Sequence, residues 1–182
     1  KVDYMVFITR RYDIMPPVVR LTSEWAAAAF MLGESVETSA GAPSQAGKSL
    51  RVVGTNPFIV GSHEEEGNAF LRILRHMPDV QCFILNTGKV GGTDRGQKIT
   101  VFDSAKILEM IARDNIIWEK DEFWGYDVPV KIPGVELSRF DLGNFYSKAQ
   151  IRELSENLKR ERLEWLAQFL GLNTDITGAI KP

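Results

Sequence analysis

The sequence predicts an α/β fold, and three observations indicate it. Short apolar runs typical of buried strands alternate along the chain with segments whose apolar residues recur at helical spacing. Several helical segments follow a serine or threonine that fits the pattern of an N-terminal cap. A chain of 182 residues, 44% of them hydrophobic, is also long enough to bury the core of a single domain, which we place over residues 1–182.

The start of the chain predicts a strand, a loop and a helix in that order. Tyr4–Thr9 is an apolar run rich in β-formers, which indicates a buried strand. Residues 10–17 end in two prolines, and these exclude a helix there because proline also restricts the residue before it. Thr22 then caps a helix that reaches Leu32, where Gly33 ends it.

The following segment is polar before it becomes helical again. Glu34–Lys48 is rich in Gly, Ser and Ala, which favours a long surface loop, and Leu50–Val53 and Pro57–Val60 are strand candidates. Ser62 and Glu65 form a capping-box pattern at the start of a helix. The apolar residues of that helix recur at helical spacing and are Phe70, Leu71, Leu74 and Met77.

The second half of the chain predicts two strands and two helices around an irregular segment. Val80–Leu85 and Lys98–Phe102 are expected to be strands, and Ser104 is expected to cap the helix after them. The segment 116–143 is expected to be irregular. Ser147 begins an amphipathic helix that extends to about residue 170.

The bulk composition excludes several classes of function. A net charge of −2 argues against binding to nucleic acid or to a membrane surface, since both favour a basic excess. The charges of 159–162 alternate in sign on the last helix, which indicates a solvated face. Cys82 is the single cysteine and lies in an apolar run. No apolar run approaches the ~18 residues that a membrane-spanning helix needs. We therefore expect a cytoplasmic protein, and the start without Met suggests a piece of a longer one.

Two local patterns imitate functional motifs. Ala42–Ser49 satisfies a loose phosphate-loop pattern, but polar residues precede it and a strand candidate follows it, which reverses the required context. His63 precedes three glutamates, yet its helical i+4 neighbour is Gly67, so the acidic residues fit a helix N-terminus better than a metal site. No serine or cysteine has the partners of a catalytic nucleophile, and we assign no catalytic residue and no metal ligand.

A glycine loop carries the one pattern from which a function can be argued. Gly88, Gly91, Gly92 and Gly96 lie with three charged side chains between the two predicted strands of the second half. Glycine lets backbone approach a ligand closely, so such a loop is typical of phosphate sites. It is equally typical of a tight connection between strands, and the pattern alone leaves both readings open.

The glycine loop belongs to a series of short motifs that covers most of the chain. In order they are Val6–Thr9, Ile14–Val18, Leu21-Thr22, Glu37–Gly41, Asn86–Gly88, Gly96–Ser104, Val128-Pro129, Ile132–Val135 and the residues Asn144, Tyr146 and Ser147. This series resembles the C-terminal portion of the ATP-dependent phosphoenolpyruvate carboxykinase family. The resemblance implies an α/β unit with a mixed sheet and flanking helices, part of that family's nucleotide-binding domain.

The resemblance also implies a function and a set of contacts. It implies a parent lyase of gluconeogenesis that converts oxaloacetate and ATP to phosphoenolpyruvate, CO₂ and ADP with divalent metals. In the family this stretch lines the adenine and ribose site, and a basic residue reaches the phosphates. Carried over by position, the nucleotide-binding residues are Lys98, Ile99, Thr100, Val101, Asp103 and Ser104.

The chain also departs from the family pattern. Lys89 stands where the family has tryptophan, and Gln97-Lys98 stands where it has lysine-arginine. The family's P-loop, its metal-binding aspartates and histidine and its oxaloacetate-binding arginine lie upstream of this sequence. The resemblance therefore implies an inactive fragment whose partners are nucleotide and the upstream P-loop-containing portion, which would also hold the metal. Two alternatives remain: a structural or interaction module without nucleotide, and a regulatory nucleotide-binding domain.

Overall fold

The computed structural model describes residues 2–36, 49–54 and 61–180. Its strands in chain order are β1 (Tyr4–Thr9), β2 (Val18–Leu21), β3 (Glu34–Val36), β4 (Ser49–Arg51), β5 (Gln81–Asn86), β6 (Lys89–Val90), β7 (Gln97–Lys98), β8 (Ile117–Lys120) and β9 (Asp127–Lys131). Its α-helices are α1 (Ser23–Leu32), α2 (His63–His76), α3 (Val101–Ala112), α4 (Lys148–Leu166) and α5 (Thr174–Gly178).

Five of these strands form one mixed sheet, in the order β1-β5-β2-β9-β8. β1 runs parallel to β5, whereas the other neighbours in this sheet are antiparallel. β3 pairs with β4, and β6 pairs with β7, in two small antiparallel ribbons. The α/β class and the mixed sheet with flanking helices are therefore confirmed.

The two faces of the sheet carry different helices, because successive strand residues point to opposite faces. Ile84 of β5 and Val19 of β2 pack with Trp25 of α1 in a core cluster that also includes residues of α2, α4 and α5. Phe83 and Leu85, from the alternate positions of β5, join a second cluster built on α3. The sheet thus lies between α3 on one side and the remaining helices on the other.

Local capping signals place the helix starts. The side chains of Thr22, Ser62 and Ser147 each accept a backbone N–H in the first turn of α1, α2 and α4, and the last two complete capping boxes. Gly33 ends α1 with φ 51°, a left-handed conformation that favours glycine. These predicted boundaries are confirmed, as are both ends of β1.

Other boundaries differ from those expected. The segment 116–143 was expected to be irregular, but it contains the β8–β9 hairpin, which includes Pro129. The contact of β2 with β9 is at Asp127, so Pro129 lies beyond that pairing, where a missing N–H is tolerated. Glu34 begins a short strand rather than a surface loop. α4 ends at Leu166, earlier than expected.

Among the described residues, no helix is long and apolar enough to cross a membrane.

Candidate nucleotide-binding site

The glycine loop is organised by one buried side chain, Asn86, at the end of β5. Its Oδ1 accepts the backbone N–H groups of Arg11 and Gly88, both at 3.0 Å. Its Nδ2 donates to the carbonyl of Met15 at 3.1 Å. Asn86 is fully buried, and its amide is satisfied by the backbone of two loops. It therefore fixes the glycine loop against the segment 11–15.

The N–H groups of all four loop glycines donate within the protein. Gly88 donates to the Asn86 side chain, and Gly96 donates to the carbonyl of Gly92. Gly91 and Gly92 donate to the carbonyls at positions 13 and 12, at 2.8 and 2.7 Å. A phosphate cradle needs free amides that point at the ligand. These amides are already paired, so the loop is a packed connection.

Close packing also accounts for two of the glycines. A Cβ at Gly88 would lie 2.0 Å from the carbonyl oxygen of Arg11. A Cβ at Gly91, whose φ is 100°, would lie 2.3 Å from the ring of Phe145. Neither position has space for a side chain, so glycine is required there by the fold itself.

The stretch after the loop enters a helix earlier than expected. The predicted strand Lys98–Phe102 is wrong, because β7 ends at Lys98 and α3 begins at Val101. The prediction that Ser104 caps this helix is also wrong. Thr100 is the N-cap: its hydroxyl accepts the N–H of Asp103, whose carboxylate accepts the N–H of Thr100 in return. The β-branched run suggested a strand, but the Thr-x-x-Asp capping box overrides that preference.

The six residues assigned to nucleotide binding divide into two groups. Lys98, Thr100 and Val101 are exposed, with 87% of Val101 accessible, and Ser104 is half-buried. Ile99 and Asp103 are only 3% and 2% exposed. The first group faces solvent around the first turn of α3, whereas the second holds that turn in place.

Asp103 is held by a partner that sequence reasoning missed. Its Oδ1 accepts from Arg139 Nη2 at 2.6 Å, and its Oδ2 accepts from the N–H and hydroxyl of Thr100 at 2.9 and 2.7 Å. Burial alone would raise the pKa of Asp103, but these hydrogen bonds and the Arg139 charge hold that pKa below its usual range. Arg139 lies 36 positions away, so no local pattern could have pointed to it.

A second polar cluster, the Glu34 cluster (Glu34, Arg11, Arg51 and Arg162), lies on the α1 side of the sheet. Arg162 donates to the Glu34 carboxylate from Nε and Nη2, both at 2.8 Å. Arg51 and Arg11 approach the same carboxylate at 3.3 and 3.5 Å. Arg162 is 1% exposed, so the prediction that 159–162 is a solvated face is wrong at that residue.

Electrostatics keeps this carboxylate ionised despite its burial. Burial would raise the pKa of Glu34, but the charge and hydrogen bonds of Arg162, with the charges of Arg11 and Arg51, lower it to about 2. The Arg162 guanidinium also lies over the rings of Trp124 and Trp25, at 5.0 and 5.6 Å from their centroids. Its Nη1 has no hydrogen-bond partner within the described residues.

Arg11 connects the Glu34 cluster to the glycine loop. Its side chain pairs with Glu34 and with Asp13, while its backbone N–H donates to Asn86 and its carbonyl accepts from Lys89 at 2.9 Å. A cavity of about 780 Å³ lies beside the cluster, lined by β1, by α1 and by Phe70, with Glu34 and Arg162 in its wall.

The remaining motifs add no further site within the residues that the structure describes. Most of the phosphate-loop pattern Ala42–Ser49 lies outside the described residues, as does the strand candidate Pro57–Val60. Where the structure is described, no three His, Cys, Asp or Glu side chains come together to hold a metal. Cys82 is buried in the core as predicted, and burial raises the pKa of its thiol to about 11.

Comparison with known proteins decides the family. The family model of phosphoenolpyruvate carboxykinase matches residues 1–138 of the 182. The chain belongs to the phosphoenolpyruvate carboxykinase family. The matched carboxykinase segment includes the glycine loop, Glu34 and the candidate residues 98–104, whereas Arg139 and Arg162 lie beyond it.

Several curated relatives of this carboxykinase segment are named phosphoenolpyruvate carboxykinase (ATP). The protein of Aeropyrum pernix is 33% identical over 167 residues, which are 90% of this chain and 32% of the relative. That of Novosphingobium aromaticivorans is 27% identical over 91% of this chain and 33% of its own length. That of Brucella melitensis is 31% identical over 71% and 25%, respectively. The chain thus spans about a third of the length of the first two relatives.

Proposed function

We propose that this chain is the adenine- and ribose-side portion of an ATP-binding carboxykinase. Lys98, Thr100, Val101 and Ser104 would contact the nucleotide, and Ile99 and Asp103 would hold the turn that presents them. The observation that carries the proposal is the geometry of this turn. The β6–β7 ribbon and the Thr100–Asp103 capping box present exposed Lys98 and Val101 beside the N-terminus of a 12-residue helix.

The chemistry of that turn suits a nucleotide. The capping box of α3 already pairs the N–H groups of Thr100 and Asp103, but the helix dipole still favours an anion at this N-terminus. The ammonium of Lys98 adds a full positive charge, and Val101 offers an exposed apolar surface to a base. The name of the relatives includes ATP, which agrees with this assignment.

Catalysis by the longer protein would depend on the part of the curated relatives that this chain does not cover. We infer that a P-loop-containing portion upstream supplies the phosphate cradle, the metal ligands and the oxaloacetate contacts. Within the described residues no cluster suits a metal, so we assign the divalent cation to that portion. The segment alone is expected to form no phosphoenolpyruvate from oxaloacetate and ATP in a coupled assay, with the Aeropyrum pernix enzyme as the positive control.

Nucleotide titration tests the assignment. Amide chemical shifts of the labelled chain would be followed while ATP or ADP is added up to millimolar concentration. We expect shifts concentrated at Thr100–Ser104, and a Lys98→Ala variant with at least tenfold weaker affinity, since a charged hydrogen bond contributes about 1.5–3 kcal/mol. Lys120→Ala, which removes an exposed lysine from β8, is the matched control. No shift at this turn, or an unchanged affinity of Lys98→Ala, would contradict the proposal.

A structural module without nucleotide is the second candidate, and one observation favours it. The four glycine amides donate to protein groups, and Lys89 Nζ donates to the carbonyl of Thr93 at 2.6 Å. A loop that satisfies its own groups needs no ligand. The same titration separates the two candidates, because the module predicts no shifts at the first turn of α3.

A further inference from the structure

The first turn of α3 already holds a negative charge of its own. The Asp103 carboxylate closes the capping box, in which its Oδ2 accepts from the N–H and the hydroxyl of Thr100 at 2.9 and 2.7 Å. Burial would raise the pKa of Asp103, but these hydrogen bonds and the Arg139 charge hold it below its usual range, so the carboxylate is ionised at neutral pH. Without a cationic partner, this carboxylate would repel a phosphate group that approaches the same turn.

Arg139 supplies the compensating charge. Its Nη2 donates to Asp103 Oδ1 at 2.6 Å, so each oxygen of the carboxylate has donors of its own. The side chain of Asp103 is only 4% exposed, which leaves the ion pair weakly screened by solvent. A second carboxylate, that of Glu136, lies 3.8 Å from Arg139 Nε but is 72% exposed. Asp103 is therefore the stronger partner of Arg139, and the two together carry no net charge.

Packing holds Arg139 in place beside the capping box. Arg139 belongs to the 3-10 helix Leu137–Phe140, and its guanidinium lies 5.0 Å from the centroid of the Phe140 ring. Phe140 is 6% exposed and packs in the same core cluster as Ile99 and Ile107. These two isoleucines flank the capping box on either side, so the segment that carries Arg139 is anchored on the residues around it.

We propose that Arg139 is a positioning residue of the nucleotide site: it fixes the Asp103 carboxylate and offsets its charge, so that the first turn of α3 accepts a phosphate group. The inference rests on the proposed function of this turn and adds a residue that acts through Asp103 rather than by contact with the nucleotide. In the absence of Arg139, an uncompensated carboxylate would oppose both the helix dipole and the ammonium of Lys98.

ATP titration of three arginine variants, followed by amide chemical shifts, tests this role. We expect Arg139→Gln to bind ATP about fivefold more weakly than the wild-type chain, the effect of one charge near a helix terminus. Arg139→Lys keeps the charge and should retain most of the affinity. Arg113→Gln is the matched control, because it removes an arginine from the other end of α3, where it pairs with Glu109 on the surface. It should leave the affinity unchanged.

A double variant, Asp103→Asn with Arg139→Gln, separates charge from structure. Asparagine keeps an oxygen for the capping box but has no charge, so this variant should bind ATP within about twofold of the wild-type chain. A merely structural role of Arg139 predicts the opposite, because the double variant lacks the ion pair and would bind no better than Arg139→Gln. The double variant also serves if Arg139→Gln fails to fold, since it leaves no unpaired buried carboxylate.

The outcomes keep this inference apart from the nucleotide proposal. An unchanged affinity of Arg139→Gln, an equal loss in Arg113→Gln, or a double variant that stays weak overturns the role of Arg139. In each of these cases the shifts of the wild-type chain at the first turn of α3 still support nucleotide binding. A wild-type chain without such shifts overturns both.

Discussion

Replacing Arg162 by Met would test how much the buried Glu34 cluster stabilises the fold. Methionine keeps an unbranched apolar stem over Trp25 and Trp124 but removes both hydrogen bonds to Glu34. The carboxylate then stays buried with only Arg51 and Arg11, at 3.3 and 3.5 Å. Its desolvation is no longer offset by a bidentate partner.

The expected loss of stability follows from this geometry. Removing one partner of a buried ion pair costs about 3–5 kcal/mol, because the remaining charge is left without compensation. Two arginines stay near the Glu34 carboxylate, so we expect the lower end, about 3 kcal/mol. For a chain of this size that lowers the melting temperature by roughly 6–12 °C. It also lowers the urea midpoint by roughly 1.5 M for a slope near 2 kcal/mol/M.

Urea unfolding followed by tryptophan fluorescence measures this change, and α4 provides the control. Arg152 pairs with Glu156 on the same helix, but the two side chains are 80% and 55% exposed. Arg152→Met should therefore cost only about 0.3–0.5 kcal/mol. The double variant Glu34→Gln, Arg162→Met should lose less than the sum of its single changes, because it leaves no unpaired carboxylate.

Two results would refute this reasoning. Equal losses for Arg162→Met and Arg152→Met would mean that burial of the ion pair has no energetic consequence. Strict additivity in the double variant would mean that Arg162 stabilises the fold by packing alone, without coupling to Glu34.

Three further outcomes are expected. Folding lowers the pKa of Glu34 from 4.5 to about 2. The ionised carboxylate therefore contributes fully to the free energy of unfolding above about pH 4.5, and this contribution is lost as the pH falls towards 2. Glu34→Gln should accordingly make stability depend less on pH in this acid range. Asp103→Ala removes the capping-box carboxylate and the Arg139 pair and should cost about 1–3 kcal/mol by thermal unfolding, against little change for the exposed Asp79→Ala. Gly91→Ala should cost more than 1 kcal/mol because of its φ of 100° and the Phe145 ring, and a neutral effect would contradict the packed-loop interpretation.

Sequence reasoning succeeded where structure is decided by neighbours in the chain. The cap residues Thr22, Ser62 and Ser147 act on N–H groups within three positions, so their patterns give the helix starts directly. The run of β-forming residues in β1 similarly predicted a strand without reference to the rest of the fold.

The Glu34 cluster shows why other features could not be predicted. Glu34 and Arg162 lie 128 positions apart, in a polar segment and in a helix of alternating charge. Each local pattern is typical of a solvated surface. Only the packing of α4 beside α1 brings the two side chains together. Once buried, the two charges form an ion pair inside the protein instead of interacting with solvent.

The glycine loop supports the same argument at the candidate site. The glycine content of the loop suggested free backbone amides. The structure shows instead that the N–H groups of Lys89, Gly91 and Gly92 donate to carbonyls of the segment 11–13. This segment lies more than 70 positions earlier in the chain, so no local pattern could indicate the pairing. With these donors paired inside the protein, the turn at the start of α3, beside exposed Lys98, is the candidate that we propose for an anion. The candidate site therefore rests on Lys98 and the capped helix turn, and the loop acts by fixing where that turn begins.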